Sequence, residues 1–369
     1  MPQQHQPLPD LPPPITSTGV IGWMRQHLFS SPLNIMLTLV SLYLLSIIIP
    51  GMINWALVDA SWTGTDRSAC EASPNGACWT FINVRLTQIL FGLYYGQHPD
   101  QAWRPITAFI ILAGLIGLLT MPRVRFKAWL AIGTIMFYPL LAFALIHGEW
   151  LGLPVAGSSQ WGGLMLTFIL ASIGIVAALP LGILLALGRR SEMPLVRAFS
   201  VTYIEFWRGT PLITVLFMAS VMLPLFFPSG VDFDKVARAI IGITLFQSAY
   251  TAEAIRGGLQ AIPRGQYEAA DALGLGYWKK MIFIILPQAL KISIPGIVNS
   301  FIELFKDTSL VSIIGLLDLL NMAQTASRSL EWKGYDVEAY TFAAILFWIF
   351  CYGMSRYSQH LEKTLHRGH

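Results

Sequence analysis

The chain has 369 residues, 54% hydrophobic and only 12% charged, with a mean hydropathy of +0.58. Soluble domains carry about 25% charged residues, so this composition excludes a soluble globular protein. The net charge of +4 is mild and its cations lie between apolar runs, which excludes a nucleic-acid binder built on one basic patch.

Residues 1 to about 20, MPQQHQPLPDLPPPITSTGV, are rich in proline and glutamine and lack an apolar period. They predict a disordered tail. No charged start, short apolar core and cleavage site of a secretory signal is present, so the first apolar run is expected to be kept as an anchor. Eight apolar segments then predict helices that cross about 30 Å of hydrocarbon. They are Leu33 to Ile53, Ile106 to Thr120, Ala128 to Ile146, Gly163 to Leu187, Leu212 to Phe227, Val236 to Ala254, Ile292 to Leu304, and Ala339 to Met354. Thr308 to Leu320 is also apolar and reads as a re-entrant or interfacial helix. Many tryptophans, among them Trp55, Trp103, Trp161, Trp207 and Trp278, fall near span ends, as an interfacial belt requires.

Lysine and arginine set the orientation. With a cytoplasmic N-terminus the inner segments hold Arg25; Arg123, Arg125 and Lys127; Arg189, Arg190, Arg197 and Arg208; Arg256, Arg264, Lys279, Lys280 and Lys291; and Arg356, Lys363 and Arg367, which is 16 of the 24. The positive-inside rule therefore puts both termini in the cytoplasm. The long loop after the first span then faces the oxidising side, where Cys70 and Cys78 either form a disulfide or stay free. Cys351 lies inside the last span as a small packing residue. No cysteine pair has CxxC spacing and no histidines have metal-ligand spacing, so no metal is expected.

The segment from Ala254 to Lys291 is polar and inside, and contains AIPRGQYEAADALGLGYWKKMIFIILPQALK. Pro263 and Gly265 act as breakers, a short helix is expected over about 266–274, and Gly274 ends it in a left-handed conformation. Pro287 bends the next helix where it enters the bilayer. A short helix outside the membrane with the small face Ala269, Ala270 and Ala272 suits a partner's groove, and Glu268 in its first turn either meets a partner arginine or only caps the helix.

Elsewhere the ionisable residues near spans are functional candidates. Glu303, with Asn299, Lys306 and Gln247, is a candidate substrate pathway; alternatively Glu303 and Lys306, three apart, pair with each other while Asn299 and Gln247 pack helices together. Glu253 and Arg256 form either an inner gate or a helix anchor. Gly257 and Gly258 are read as a sharp exit from the sixth span, Thr210 as the cap of the fifth, and Asp307 to Ser309 as the cap of the helix after them.

The inner segment carries Glu268-Ala269-Ala270, then Gly274, then Ile284, Leu286 and Pro287, and every defined position matches the coupling motif of ABC importer permeases. The stretches Glu205 to Leu212, Ala249 to Gln260 and Lys306 to Ser312 resemble the polar amino-acid branch of that family, and the long N-terminal part resembles the longer permease subunit of general L-amino-acid importers. The resemblance implies an all-α polytopic protein with about eight transmembrane helices: residues 21–155 as an extension with three spans, and residues 156–369 as a five-helix type I core. It further implies a bacterial inner-membrane location, a coupling role for Glu268, Ala269, Ala270, Gly274, Leu286 and Pro287, a dimer of ATPase subunits that holds ATP and Mg, a second homologous permease, and an external amino-acid-binding protein. No GxxxxGK[ST] occurs, so the chain supplies no phosphate loop of its own and is expected to be neither an ATPase nor a carrier of cofactors. The competing reading is a gradient-driven secondary carrier; the inverted repeats typical of that class are not evident.

Overall fold

A computed structural model describes residues 19–121, 126–228 and 234–366. The expected tail therefore lies almost wholly outside the described residues, as do Arg123, Arg125 and Arg367. Contacts divide the chain into two units, one up to Thr80 and one from Phe81 onward.

The first unit begins with helix α1, Gly19–His27, followed by α2, Pro32–Ile53, which Ser31 caps by accepting from the Asn34 amide at 3.2 Å. A π-helical turn, Asn54–Val58, extends α2, and no residue of α2 is buried by protein. Such a helix satisfies its own backbone and leaves its apolar surface to lipid. After the short α3, Ser68–Glu71, a disulfide joins Cys70 to Cys78, whose Cα atoms are 5.4 Å apart.

The helix Trp79–Phe91, α4, leads into the second unit, with α5 at Leu93–Gln97, α6 at Trp103–Thr120 and α7 at Lys127–His147. There follow α8, Gly163–Arg189; α9, Pro194–Gly209; α10, Leu212–Val221; α11, Lys235–Ala261; α12, Arg264–Ala272; α13, Tyr277–Lys280; α14, Leu286–Asp307; α15, Leu319–Ser327; and α16, Asp336–His366. Each of the eight expected spans thus corresponds to a helix, and among the described residues five helical segments are both long and apolar enough to cross a membrane. The 27-residue α11 falls short only in apolarity, because it buries polar Gln247, Ser248 and Thr251 inside the protein. The fifth span is a ten-residue helix prolonged by a 3-10 turn, Leu223–Phe226, and is preceded by the amphipathic α9.

At the centre α8 packs along α11, with α10 and α14 also against α11 and α16 against α14 and α15. Leu166, Leu170, Leu216, Ile243 and Leu304 fill one end of this core, and Leu185, Ile204, Ile255, Leu259 and Ile285 the other. The expected boundary near residue 155 falls inside the second unit, because Tyr95, Leu145 and Ile146 pack with Trp161 and Met165.

Several local expectations are corrected. Gly257 and Gly258 do not turn the chain, since α11 continues to Ala261; a Cβ on Gly258 would lie 2.4 Å from the Ala289 carbonyl oxygen, so this glycine lets α11 and α14 approach. Thr210 does not cap α10: its hydroxyl donates back to the Phe206 carbonyl at 2.9 Å, and Pro211 holds the cap position. The Thr308 hydroxyl likewise donates to Phe305 at 2.9 Å. Thr308 to Leu320 is not one helix but a 3-10 turn, Thr308–Ile314, a left-handed Gly315, the two-residue strand β1, Leu317–Asp318, and the start of α15.

Candidate coupling helix and inner ion cluster

The short helix α12 is separated from α11 by Ile262 and Pro263, whose backbones are extended. It begins at Arg264, so Gly265 sits in its first turn instead of breaking the chain, and Glu268 lies in the second turn, beyond the strongest influence of the helix dipole. At the other end Gly274 adopts φ +68° while its amide donates to Asp271 and the Leu275 amide to Ala270, which closes the helix as expected.

Only Ala270 of α12 is buried, at 1% exposure; Glu268, Ala269 and Ala272 are exposed, and Leu273 just beyond is 76% exposed. The Glu268 carboxylate has no hydrogen bond or ion pair among the described residues. Three links hold the helix in place. The Arg190 guanidinium, at the end of α8, donates to the Tyr267 hydroxyl at 2.9 Å and to the Leu259 carbonyl of α11 at 2.8 Å, and stacks over the Tyr267 ring. Lys280 donates to Asp271, and Gln288 of α14 to Gln266 at 3.2 Å. The motif positions Leu286 and Pro287 open α14 after a π-helical turn, Met281–Ile285. That wider turn accommodates the backbone bond Pro287 cannot make. Movement of α12 is therefore tied to α8, α11 and α14 at once. Tyr267, Arg190 and Leu273 are not singled out by the motif; the tyrosine beside Glu268 is the one signal in the sequence that points to the anchor.

Glu253 and Arg256 do meet, and they are not alone. Arg256 Nε lies 2.9 Å from both Glu253 oxygens, Arg189 Nη1 3.4 Å away and Arg208 Nη1 3.9 Å away, while Arg189 also reaches Glu205 at 2.9 Å. Three cations and two carboxylates thus lock α8, α9 and α11 together around Glu253. With the pairs only partly buried, Glu253→Gln is expected to lower stability by about 1–2 kcal/mol, measured by thermal unfolding in detergent. An unchanged melting temperature would show that solvent already screens the cluster.

The candidate pathway residues separate. Asn299, Glu303 and Lys306 occupy one exposed face of α14, whereas Gln247 is buried and donates to Ser300 Oγ at 3.0 Å, joining α11 to α14. Among the described residues Glu303 and Lys306 form no ion pair, because both side chains point outward with no contact within salt-bridge distance.

The profile of a family described as "Binding-protein-dependent transport system inner membrane component" matches residues 178–367. The chain is similar to the "Inner membrane amino-acid ABC transporter permease protein YhdY" of Escherichia coli strain K12, at 52% identity over 98% of this chain and 97% of that one. It is also similar to the "Glutamate/glutamine/aspartate/asparagine transport system permease protein BztC" of Rhodobacter capsulatus, at 42% identity over 97% and 96%. A shorter relative, the "Probable glutamine ABC transporter permease protein GlnP" of Bacillus subtilis, is 33% identical, with 91% of its length matched by 55% of this chain.

Proposed function

The chain belongs to the binding-protein-dependent transport inner-membrane family, and from that premise we propose that it is the permease subunit of an ATP-driven amino-acid importer. The observation that carries the reading is α12, a helix exposed outside the apolar spans, carrying the unpaired Glu268 and fastened to α8, α11 and α14. A dimer of ATPase subunits, which holds ATP and magnesium, would grip this helix on the cytoplasmic side. Closing of the ATPases draws the coupling helices together and turns the pathway outward, a rigid-body switch of two-state type. Both termini then lie in the cytoplasm, and the Cys70–Cys78 loop lies outside, where a disulfide persists.

The charged face of α14 supports a second permease chain. Glu303 and Lys306 in hydrocarbon would each cost several kcal/mol, so this face is best satisfied by a water-filled path or a neighbouring subunit. Glu303 there is suited to receive the ammonium of an amino acid and Lys306 its carboxylate. Family membership removes the gradient-driven carrier raised by composition alone.

The substrate class is polar L-amino acids of broad range, supported by the named specificity of the relatives. Reconstituted with its partners, the protein is expected to take up labelled glutamate, glutamine, aspartate and asparagine with ATP inside the vesicle and no ion gradient. Uptake driven by a proton or sodium gradient without ATP would contradict the reading.

A further inference from the structure

At the end of α8 opposite α12 lies an open-sided cavity of about 500 Å³, lined among others by Arg85, Gln88, Gln97, Thr325, Arg328 and Ser329. Its position follows from the backbone. Gly163, the first residue of α8, bridges to Asp318, and the Leu319 amide at the start of α15 donates to Thr167, while the last turn of α8 leads into Arg190, which donates to Tyr267 of α12. With 27 residues at 1.5 Å each, the two ends of α8 are about 40 Å apart.

Two separate parts of the sequence build the cavity. Thr325, Arg328 and Ser329 belong to the region matched by the family profile, whereas Arg85, Gln88 and Gln97 come from α4 and α5, ahead of that region. The cavity is therefore a property of the long form of the chain, and gives the extension a task at the core.

Its chemistry is cationic. Arg85 meets Glu331 through Nη2 at 2.7 Å, but its Nε is buried with no partner. Arg328 is exposed, and its side chain makes no ion pair or hydrogen bond among the described residues. No carboxylate lines the cavity. With Arg85 already paired to Glu331, the free guanidinium of Arg328, beside two amides and two hydroxyls, is suited to a carboxylate ligand. The carboxylate beside the cavity, Glu331, is already engaged by Arg85, so the ammonium of a free amino acid would have to compete with that guanidinium, and the fit is to a lone carboxylate from a protein surface.

We propose that this cavity is a docking socket for an acidic side chain of the substrate-delivering binding protein, completed by the N-terminal extension. The proposal rests on the importer reading, which places this end of α8 outside the membrane. It is tested on the complete transporter in lipid nanodiscs, by the affinity of the amino-acid-loaded binding protein and its stimulation of ATP hydrolysis. Arg328→Glu is expected to weaken binding at least tenfold, to leave basal hydrolysis unchanged, and to regain stimulation at high binding-protein concentration. Arg328→Lys, which keeps the charge but not the fork, is expected to fall between. Unchanged affinity in Arg328→Glu overturns the socket. The same holds if the variant instead loses binding of free labelled glutamate measured without the binding protein. Wild-type transporter that no binding protein stimulates would overturn the importer reading itself, a result distinguishable from failure of the socket alone.

Discussion

Glu268→Lys is expected to reduce ATP-driven uptake at least tenfold while the protein inserts and accumulates normally. The side chain is exposed and makes no hydrogen bond or ion pair among the described residues, so reversing its charge changes folding stability by no more than about 0.5 kcal/mol. Breaking a charge pair desolvated against a partner costs about 2–5 kcal/mol, and here a like charge would be placed against the partner's cation. The measurement is uptake per unit of protein in the membrane, alongside ATP hydrolysis by the purified complex. Hydrolysis that persists without uptake is the expected signature, because the defect lies in transmission through α12. Normal uptake would remove Glu268 from the docking surface.

Arg104→Leu is expected to destabilise the second unit by about 3–5 kcal/mol. Arg104 is fully buried, at 0% exposure, and its Nε, Nη1 and Nη2 donate to the carbonyls of Leu145, Pro154 and Ile146 at 2.8, 3.0 and 2.8 Å. Two of these acceptors belong to the last turn of α7, whose carbonyls have no partner within the helix, and the positive charge complements the helix dipole. The neighbouring Tyr95 hydroxyl donates to Ile146 at 2.7 Å, and burial pushes its phenol up to about 12, so it remains a donor throughout the physiological range. Leucine would orphan the Leu145 and Pro154 carbonyls and leave Ile146 with Tyr95 alone. Arg104→Lys, retaining charge without the fork, is expected to recover part of the loss. Thermal unfolding in detergent checks both, and a melting temperature equal to wild type for Arg104→Leu would show that the carbonyls find water instead.

The long apolar runs were legible because length and hydropathy alone determine them, and α12 because proline and glycine bracket a polar segment. What escaped depends on contacts distant in sequence. Helix α9 alternates apolar and polar residues around its circumference, so hydropathy averages hide it between two spans. Arg104 sits just before the second apolar run, and only the return of the chain at Leu145 and Pro154 makes it a buried clamp. The spacing of Glu303 and Lys306 allows a helical pair, yet both face outward unpaired. Thr210 and Thr308 fit a capping pattern by type, but their hydroxyls reach a carbonyl of the preceding turn, an alternative open to any threonine in a helix. Helical spacing pairs Glu253 with Arg256, while Arg189 and Glu205 join them only because α8 and α9 pack beside α11.

Helix α12 is proposed as the seat of a separate ATPase. Tagging the chain in its native membrane, purifying it in mild detergent and identifying the co-purifying proteins by mass spectrometry tests it most directly. An ATPase carrying a phosphate-binding loop and a second permease are expected to co-purify with the chain. Recovery of the chain alone, under conditions that keep a known ABC transporter intact, would contradict it.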